Sequence, residues 1–237
     1  MKKLILGSAI LAGSMMFAQE NQNLSQTPSK KDPVKFGIKG GVNSSAFDYQ
    51  ELSVKNQKIG FNAGAFINIP LSQKFAIQPE VLYSELGAKN NLSQINTTTI
   101  EGATVVENID SKVYLNYISV PLMLQMKPAD NFYIEAGPEF SYFLNGKVKD
   151  ETIVKTTMDG NTTTTNESYS TDIDKDYVKK FNIGLGLGLG YYFTPNLGIN
   201  ARYVNSLTHF ANNAGLEEAD KNNTTNRLFQ LGLNYKF

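Results

Sequence analysis

Residues 181–193, FNIGLGLGLGYYF, alternate without a break. Phe181, Ile183, Leu185, Leu187, Leu189, Tyr191 and Phe193 fall on one face, while Asn182, Gly184, Gly186, Gly188, Gly190 and Tyr192 fall on the other. A period of two sustained this long puts the two sets on opposite sides of a strand, and it does not fit a helix of period 3.6. The split recurs in seven further runs, at 36–44, 59–69, 75–86, 114–126, 132–144, 197–207 and 228–237. Each is near the length of ~9–11 residues that a tilted strand needs to cross a bilayer.

Eight alternating strands suit two opposite designs. A secreted lipocalin-like barrel turns its apolar face inward and its charged face to water, whereas a membrane barrel does the reverse. The charges separate them. Of the 44 charged residues only seven lie in the eight runs: Lys39, Glu80, Glu85, Glu135, Glu139, Arg202 and Lys236. A water-facing strand surface would not be so bare. Six of the seven share the Gly/Asn/Ser face, and Glu85 sits at the end of its run, where it can leave lipid. An uncharged outer face over a small, polar inner face reads as an all-β, eight-stranded antiparallel up-and-down transmembrane β-barrel, closed so that every backbone group is paired in lipid.

The connections agree. Long segments (45–58, 87–113, 145–180, 208–227) alternate with short ones (70–74, 127–131, 194–196). Short turns at one rim and long loops at the other are the outer-membrane arrangement, with both termini at the short-turn, periplasmic rim. Phe75, Phe132, Tyr133, Phe193, Tyr235 and Phe237 gather near that rim, and Tyr83, Tyr142 and Phe181 near the other, as two aromatic girdles. Pro79, Pro121 and Pro138 fall inside strands of a barrel without edges, and local bulges are the expected accommodation.

The start of the chain reads as a secretory signal peptide over residues 1–18. Lys2 and Lys3 precede an apolar run from Leu4 to Met16, and the small Ala18 marks the expected cleavage site. The polar stretch 19–35 is a flexible periplasmic lead-in, and 36–237 is the barrel. The expected location is the bacterial outer membrane, with its lipid as the first partner. Lysine plus arginine and aspartate plus glutamate both total 22, so charge gives no case for nucleic acid. The absence of Cys excludes thiolate metal sites, disulfides and a Cys nucleophile.

The segment YLNYISVPLMLQMKPADNFYIEAGPEFSYFL, residues 114–144, resembles the central hairpin of the PorT-like outer-membrane β-barrel proteins of Bacteroidota. There a Tyr-x-x-hydrophobic-Pro-Leu strand leads through a short turn into a Tyr-Ile-Glu-Ala-Gly-Pro strand. ARYVNSLTHF (201–210) is similar to the family's penultimate strand, and the terminal NYKF, with Tyr235 and Phe237, to the C-terminal signal of proteins inserted by the barrel assembly machinery. The resemblance spans about 36–237. It implies a barrel and its insertion route, and it raises a role in type IX secretion or gliding.

Two groups of residues are candidate functional elements. Lys39, Glu80, Glu135, Glu139 and Arg202 all have lumen parity and, buried, must pair or lose charge. They form a salt-bridge plug or, as the alternative, the gate of a narrow channel. The glycines at 184, 186, 188 and 190 leave room for bulky neighbours or water. Outside the membrane, the Thr/Val/Ile-rich runs around Glu101–Gly102 and Asp159–Gly160 signal hairpins whose edges can meet an extracellular or secretion-system protein. The expected role is a membrane scaffold or interaction protein. Catalysis is not expected, because the sole histidine, His209, stands at the base of the last long loop, where a solvated residue is expected rather than a base, and no acidic set has metal-ligand spacing. GLGLGLG lacks the Lys-Ser/Thr of a phosphate loop, and no cofactor is implied.

Overall fold

The computed structural model describes residues 33–47, 57–90, 96–100, 103–209, 211 and 224–237. Ten strands are formed among them: β1 Lys35–Phe47, β2 Lys58–Pro70, β3 Phe75–Asn90, β4 Asn96–Ile100, β5 Ala103–Ala129, β6 Phe132–Met158, β7 Asn161–Asp172, β8 Phe181–Tyr192, β9 Leu197–Ser206 and β10 Asn226–Lys236. Eight close a ring in the order β1-β2-β3-β5-β6-β8-β9-β10, and β10 returns to β1 from Gly37↔Lys236 to Phe47↔Asn226. Every pairing is antiparallel. The proposed signal segment and the first part of the lead-in lie outside the described residues.

Side-chain parity follows the alternation. Leu185, Leu187 and Leu189 are at least half exposed on the outside, as are Ile38, Ile59, Val81 and Leu233, whereas Lys39, Glu80, Glu135, Glu139, Arg202 and Lys236 are buried. This overturns the lipocalin-like alternative, because apolar side chains cover the exterior and polar ones fill the interior. A closed barrel with such an outer face keeps its fold in detergent. Unheated protein is therefore expected to migrate faster than boiled protein in a denaturing gel; identical mobility would contradict closure.

The turns at one end are tight. Leu71–Lys74 joins β2 to β3, Asp130–Asn131 joins β5 to β6, and Phe193–Asn196 joins β8 to β9. The middle turn is shorter than the 127–131 segment expected from sequence: Lys127 and Pro128 belong to β5, where the register slips between Met126 and Ala129. The prolines also behave differently from expectation. Phe66↔Glu80 and Ile69↔Ile77 flank Pro79 in one register, and Pro121↔Glu139 and Leu124↔Ala136 flank the Pro138 position in one register. Pro138 itself stays paired with Leu185. Single missing donors interrupt the ladder without inserting a residue. The second irregularity in β5–β6 falls at Asn116/Tyr117, away from any proline.

One aromatic departs from the expected girdle. Tyr133 is buried in the lumen 5.7 Å from the Tyr192 ring, because its position in β6 has inward parity. Phe75, Phe193, Tyr235 and Phe237 remain exposed at the short-turn end, and Tyr142 and Phe181 at the other.

At the long-loop end the ring gives way to a second structure. β3 leaves β5 at Asn90↔Ser111, and β8 leaves β6 at Tyr142↔Phe181, yet β5 and β6 stay paired out to Thr104↔Thr157. β4 takes over beside β5, and β7 takes over beside β6. A four-stranded blade, β4-β5-β6-β7, thus projects from the rim. The β6–β7 turn is Asp159–Gly160, flanked by Met158↔Asn161, with φ of 50° and 79°. Positive φ at both central residues is the type I′ geometry that an Asp-Gly pair favours. Ile100↔Ala103 closes the β4–β5 hairpin, while Glu101 and Gly102 themselves lie outside the described residues.

Candidate functional site

Inward positions at mid-height converge on Arg202 of β9. Its guanidinium donates from Nη1 and Nη2 to the two carboxylate oxygens of Glu80, at 2.9 and 2.8 Å. Nε and Nη2 also donate to Oε1 of Glu135, at 2.8 and 2.6 Å. The planar fork suits this task, since it satisfies two carboxylates with directed hydrogen bonds. Lys39 Nζ lies 3.3 Å from Glu80 Oε2. All four side chains are essentially removed from solvent.

Neutral amides complete the network. Gln78 Nε2 donates to Glu80 at 2.8 Å, and Gln125 Nε2 donates to Glu135 at 3.0 Å. Asn68 Nδ2 then bridges the oxygens of Gln78 and Gln125 at 3.0 and 2.8 Å. These three amides escaped a reading based on charge, although their lumen parity marks them. The arrangement holds two cations and two carboxylates across the lumen from β1, β3, β6 and β9. Glu139, the fifth residue of the sequence-derived set, is not bonded to either cation: Ser141 Oγ reaches its Oε1 at 3.5 Å, and its Oε2 has no hydrogen-bond partner among the described residues.

The glycine wall of β8 makes room for this packing. A Cβ on Gly188 would lie 3.0 Å from Glu135 Oε1, one on Gly186 would lie 3.6 Å from Arg202 Cδ, and one on Gly190 would lie 2.3 Å from the Tyr133 ring. Below, Lys236 Nζ sits 3.5 Å from the centre of the Tyr192 ring. Lys58, one residue before the expected second run, is a further buried cation; it pairs with Glu85 at 2.5 Å and lies over the Tyr114 ring.

Above the charges the lumen becomes apolar. Leu86, Leu115, Tyr117, Phe143, Val204 and Leu228 form a buried cluster that Val178 completes from outside the ring. The segment carrying Val178 contains a 3-10 turn at Lys175–Tyr177, where Asp174 accepts from Asp176 N at 3.0 Å, and Phe143 N donates to Lys180 O at 2.8 Å. The β7–β8 connection thus caps the long-loop mouth. No alternation announces it, because one inserted valine leaves no periodic trace.

The blade offers a different surface. β7, NTTTTNESYSTD, is exposed along its whole length, and its outer edge has no strand partner among the described residues. On one blade face Glu151 receives Lys149 at 2.8 Å and Lys112 at 3.0 Å. Their hydrogen bonds, that from Lys149 foremost, lower its pKa to about 2, so Glu151 stays ionised at any physiological pH. Thr157 and Thr162 hydroxyls meet at 2.9 Å beside the turn. Among the described residues no group of three or more His, Cys, Asp or Glu is placed to hold a metal.

The family model described as outer membrane protein beta-barrel domain matches residues 17–212. No curated protein matches the chain. Solved structures similar to it include Ail of Yersinia pestis in complex with the heparin analogue sucrose octasulfate, at 15% identity and TM-score 0.44, covering 86% of this chain and 99% of that one. Neisserial surface protein A is 13% identical with TM-score 0.45, covering 87% and 100%. OprG of Pseudomonas aeruginosa is 12% identical with TM-score 0.38, covering 86% and 95%.

Proposed function

Since this chain belongs to the outer membrane protein beta-barrel domain family and resides in the bacterial outer membrane, we propose that it is a non-catalytic interaction protein whose barrel anchors the blade at the cell surface. The observation that carries this reading is the length of β5 and β6, 27 residues each. From Tyr142 to Met158 the strand runs about 50 Å at ~3.3 Å per residue, about twice the ~25 Å apolar band of such barrels. Strand built so far past the membrane serves no purpose in crossing it. A regular β7 edge without proline or bulge carries only Glu167 and Asp172 as charges, and the run Asn161–Asn166 has none of the usual devices that prevent strand addition. A partner's extended segment would add there through main-chain hydrogen bonds.

The lumen supports a plug in this reading, with the ion pairs and the apolar cap both standing across it. Membership in the PorT-like group, and with it a secretion-system partner, rests on the 114–144 and 201–210 segments. Insertion by the assembly machinery rests on Tyr235 and Phe237, whose exposed rings pack 5.3 Å apart at the end of β10.

A photoreactive benzoylphenylalanine in place of Thr164, at the blade edge, tests the reading on intact cells. A discrete protein adduct is expected from that position and none from Leu187 on the lipid face. Irradiation that yields no adduct at Thr164, Thr162 or Asn166 would leave the blade without the contact that the reading requires.

A further inference from the structure

We propose that a small cavity in the upper lumen, walled in part by the apolar cap itself, binds a single sodium-sized cation. The cavity measures about 20 Å³ and is walled by Glu139, Ser141, Asn182, Ser206 and Asn226 together with apolar residues of the cap. That is room for one water-sized occupant. Its polar walls carry carboxylate, hydroxyl and amide groups, with no cationic side chain among the described residues that line it. Glu139 Oε2 and Asn226 Oδ1 are both buried with no hydrogen-bond partner among the described residues. Asn182 Oδ1 already accepts from the Thr208 hydroxyl, so the unspent acceptors are those of Glu139 and Asn226.

Charge distinguishes this place from other buried polar positions in the lumen. Asn62 and Asn200 also have unpartnered oxygens, and a neutral amide needs only a water there. Glu139 belongs to a local set with two cations, Lys39 and Arg202, and three carboxylates, Glu80, Glu135 and Glu139. Both cations are bonded to Glu80 or Glu135. Lys58 is taken by Glu85 and Lys236 lies over the Tyr192 ring at the short-turn end, so no cation among the described residues is bonded to Glu139, and a buried ion without a counter-charge beside it is costly. A water does not cancel it. A hard, singly charged cation does, and it suits one carboxylate with neutral oxygens, whereas a divalent ion ordinarily gathers several carboxylates. The inference stands independently of what the blade meets.

The test is the midpoint temperature of the gel-mobility shift for protein refolded in detergent, in sodium chloride against N-methylglucamine chloride at equal ionic strength. Saturating sodium is expected to raise the wild-type midpoint by about 5–10 °C, the shift that occupancy near a hundred times Kd gives a chain of this size. Glu139→Gln should abolish the difference between the salts. Asn226→Ala, which keeps the charge and removes one oxygen, should need about tenfold more sodium for the same rise, and it serves alone if Glu139→Gln does not fold. Equal wild-type midpoints in the two salts would overturn the proposal, as would a midpoint that follows pH and ignores sodium, since a proton would then neutralise Glu139. A salt difference that persists unchanged in both variants would overturn it as well, by placing the ion elsewhere.

Discussion

Arg202→Ala is expected to destabilise the folded barrel by about 3–5 kcal/mol without opening a conducting path. Truncation leaves Glu80 and Glu135 facing each other in the lumen with only Lys39 nearby, bonded to Glu80 at 3.3 Å. Removing one partner from a buried network strands the other's charge, and the cost is that of uncompensated desolvation. A gate would respond differently. The same truncation would widen the constriction and raise single-channel conductance in planar bilayers. The apolar cluster of Leu86, Leu115, Tyr117, Phe143 and Val178 does not include Arg202, so it is expected to stay packed above the network in the variant. Denaturant unfolding in detergent, followed by circular dichroism, gives the stability. Bilayer recordings of the same preparation give the conductance, and stepwise currents in the variant would remove the plug reading. Arg202→Lys should recover little of the loss, because an ammonium cannot present the fork that meets two carboxylates at once.

Gly188→Val is expected to cost about 3 kcal/mol, at the upper end of overpacking effects. A Cβ at position 188 would meet Ala201 O at 2.8 Å and the Glu135 side chain at 3.0–3.1 Å. The backbone carbonyl belongs to the neighbouring strand of a closed ring and cannot retreat. Glu135 can move only by leaving Arg202. The penalty is therefore partly steric and partly the weakened ion pair, which makes a second result follow. Combined with Arg202→Ala, the substitution should cost less than the sum of the two, since both spend the same interaction. Full additivity in the double variant, again from denaturant midpoints, would show that the glycine wall and the charge network are independent.

Alternation alone carries most of the fold. Phe181 to Phe193 declares both faces of β8, and the inward set there is what lets Glu135, Arg202 and Tyr133 enter the lumen. The parity of Lys39, Glu80, Glu135 and Arg202 was legible for the same reason, because position along a strand decides the side. What stayed illegible is of another kind. Val178 reaches the cap from a connection, where no period operates. Lys58 sits one step outside its run, at a strand end that a pattern cannot locate to the residue. Tyr133 could be placed at a rim by its type or in the lumen by its parity, and parity prevails because the strand is already regular there. The hydrogen bonds of Asn68, Gln78 and Gln125 depend on register between strands, which one-dimensional alternation does not contain. The proline positions show the converse error, in which a local rule about donors was extended to a change of register that the flanking pairs resist.

The seam between β1 and β10 sets the order in which this molecule can acquire its shape. Most other ring neighbours are joined by a turn or one connection, so they find each other after short diffusive searches. Gly37 and Lys236 are separated by nearly the entire folded chain. Closing so large a loop carries the greatest entropic cost of any pairing, and long-range contacts of this type slow assembly. The blade, made of adjacent hairpins, has no such delay. Refolding should then show an early phase in which β4 to β7 gain strand structure and a late one in which mobility on a gel changes. Until β10 has been synthesised and docked, the outward apolar face encloses nothing, and the unfinished sheet has two open edges for a carrier to hold.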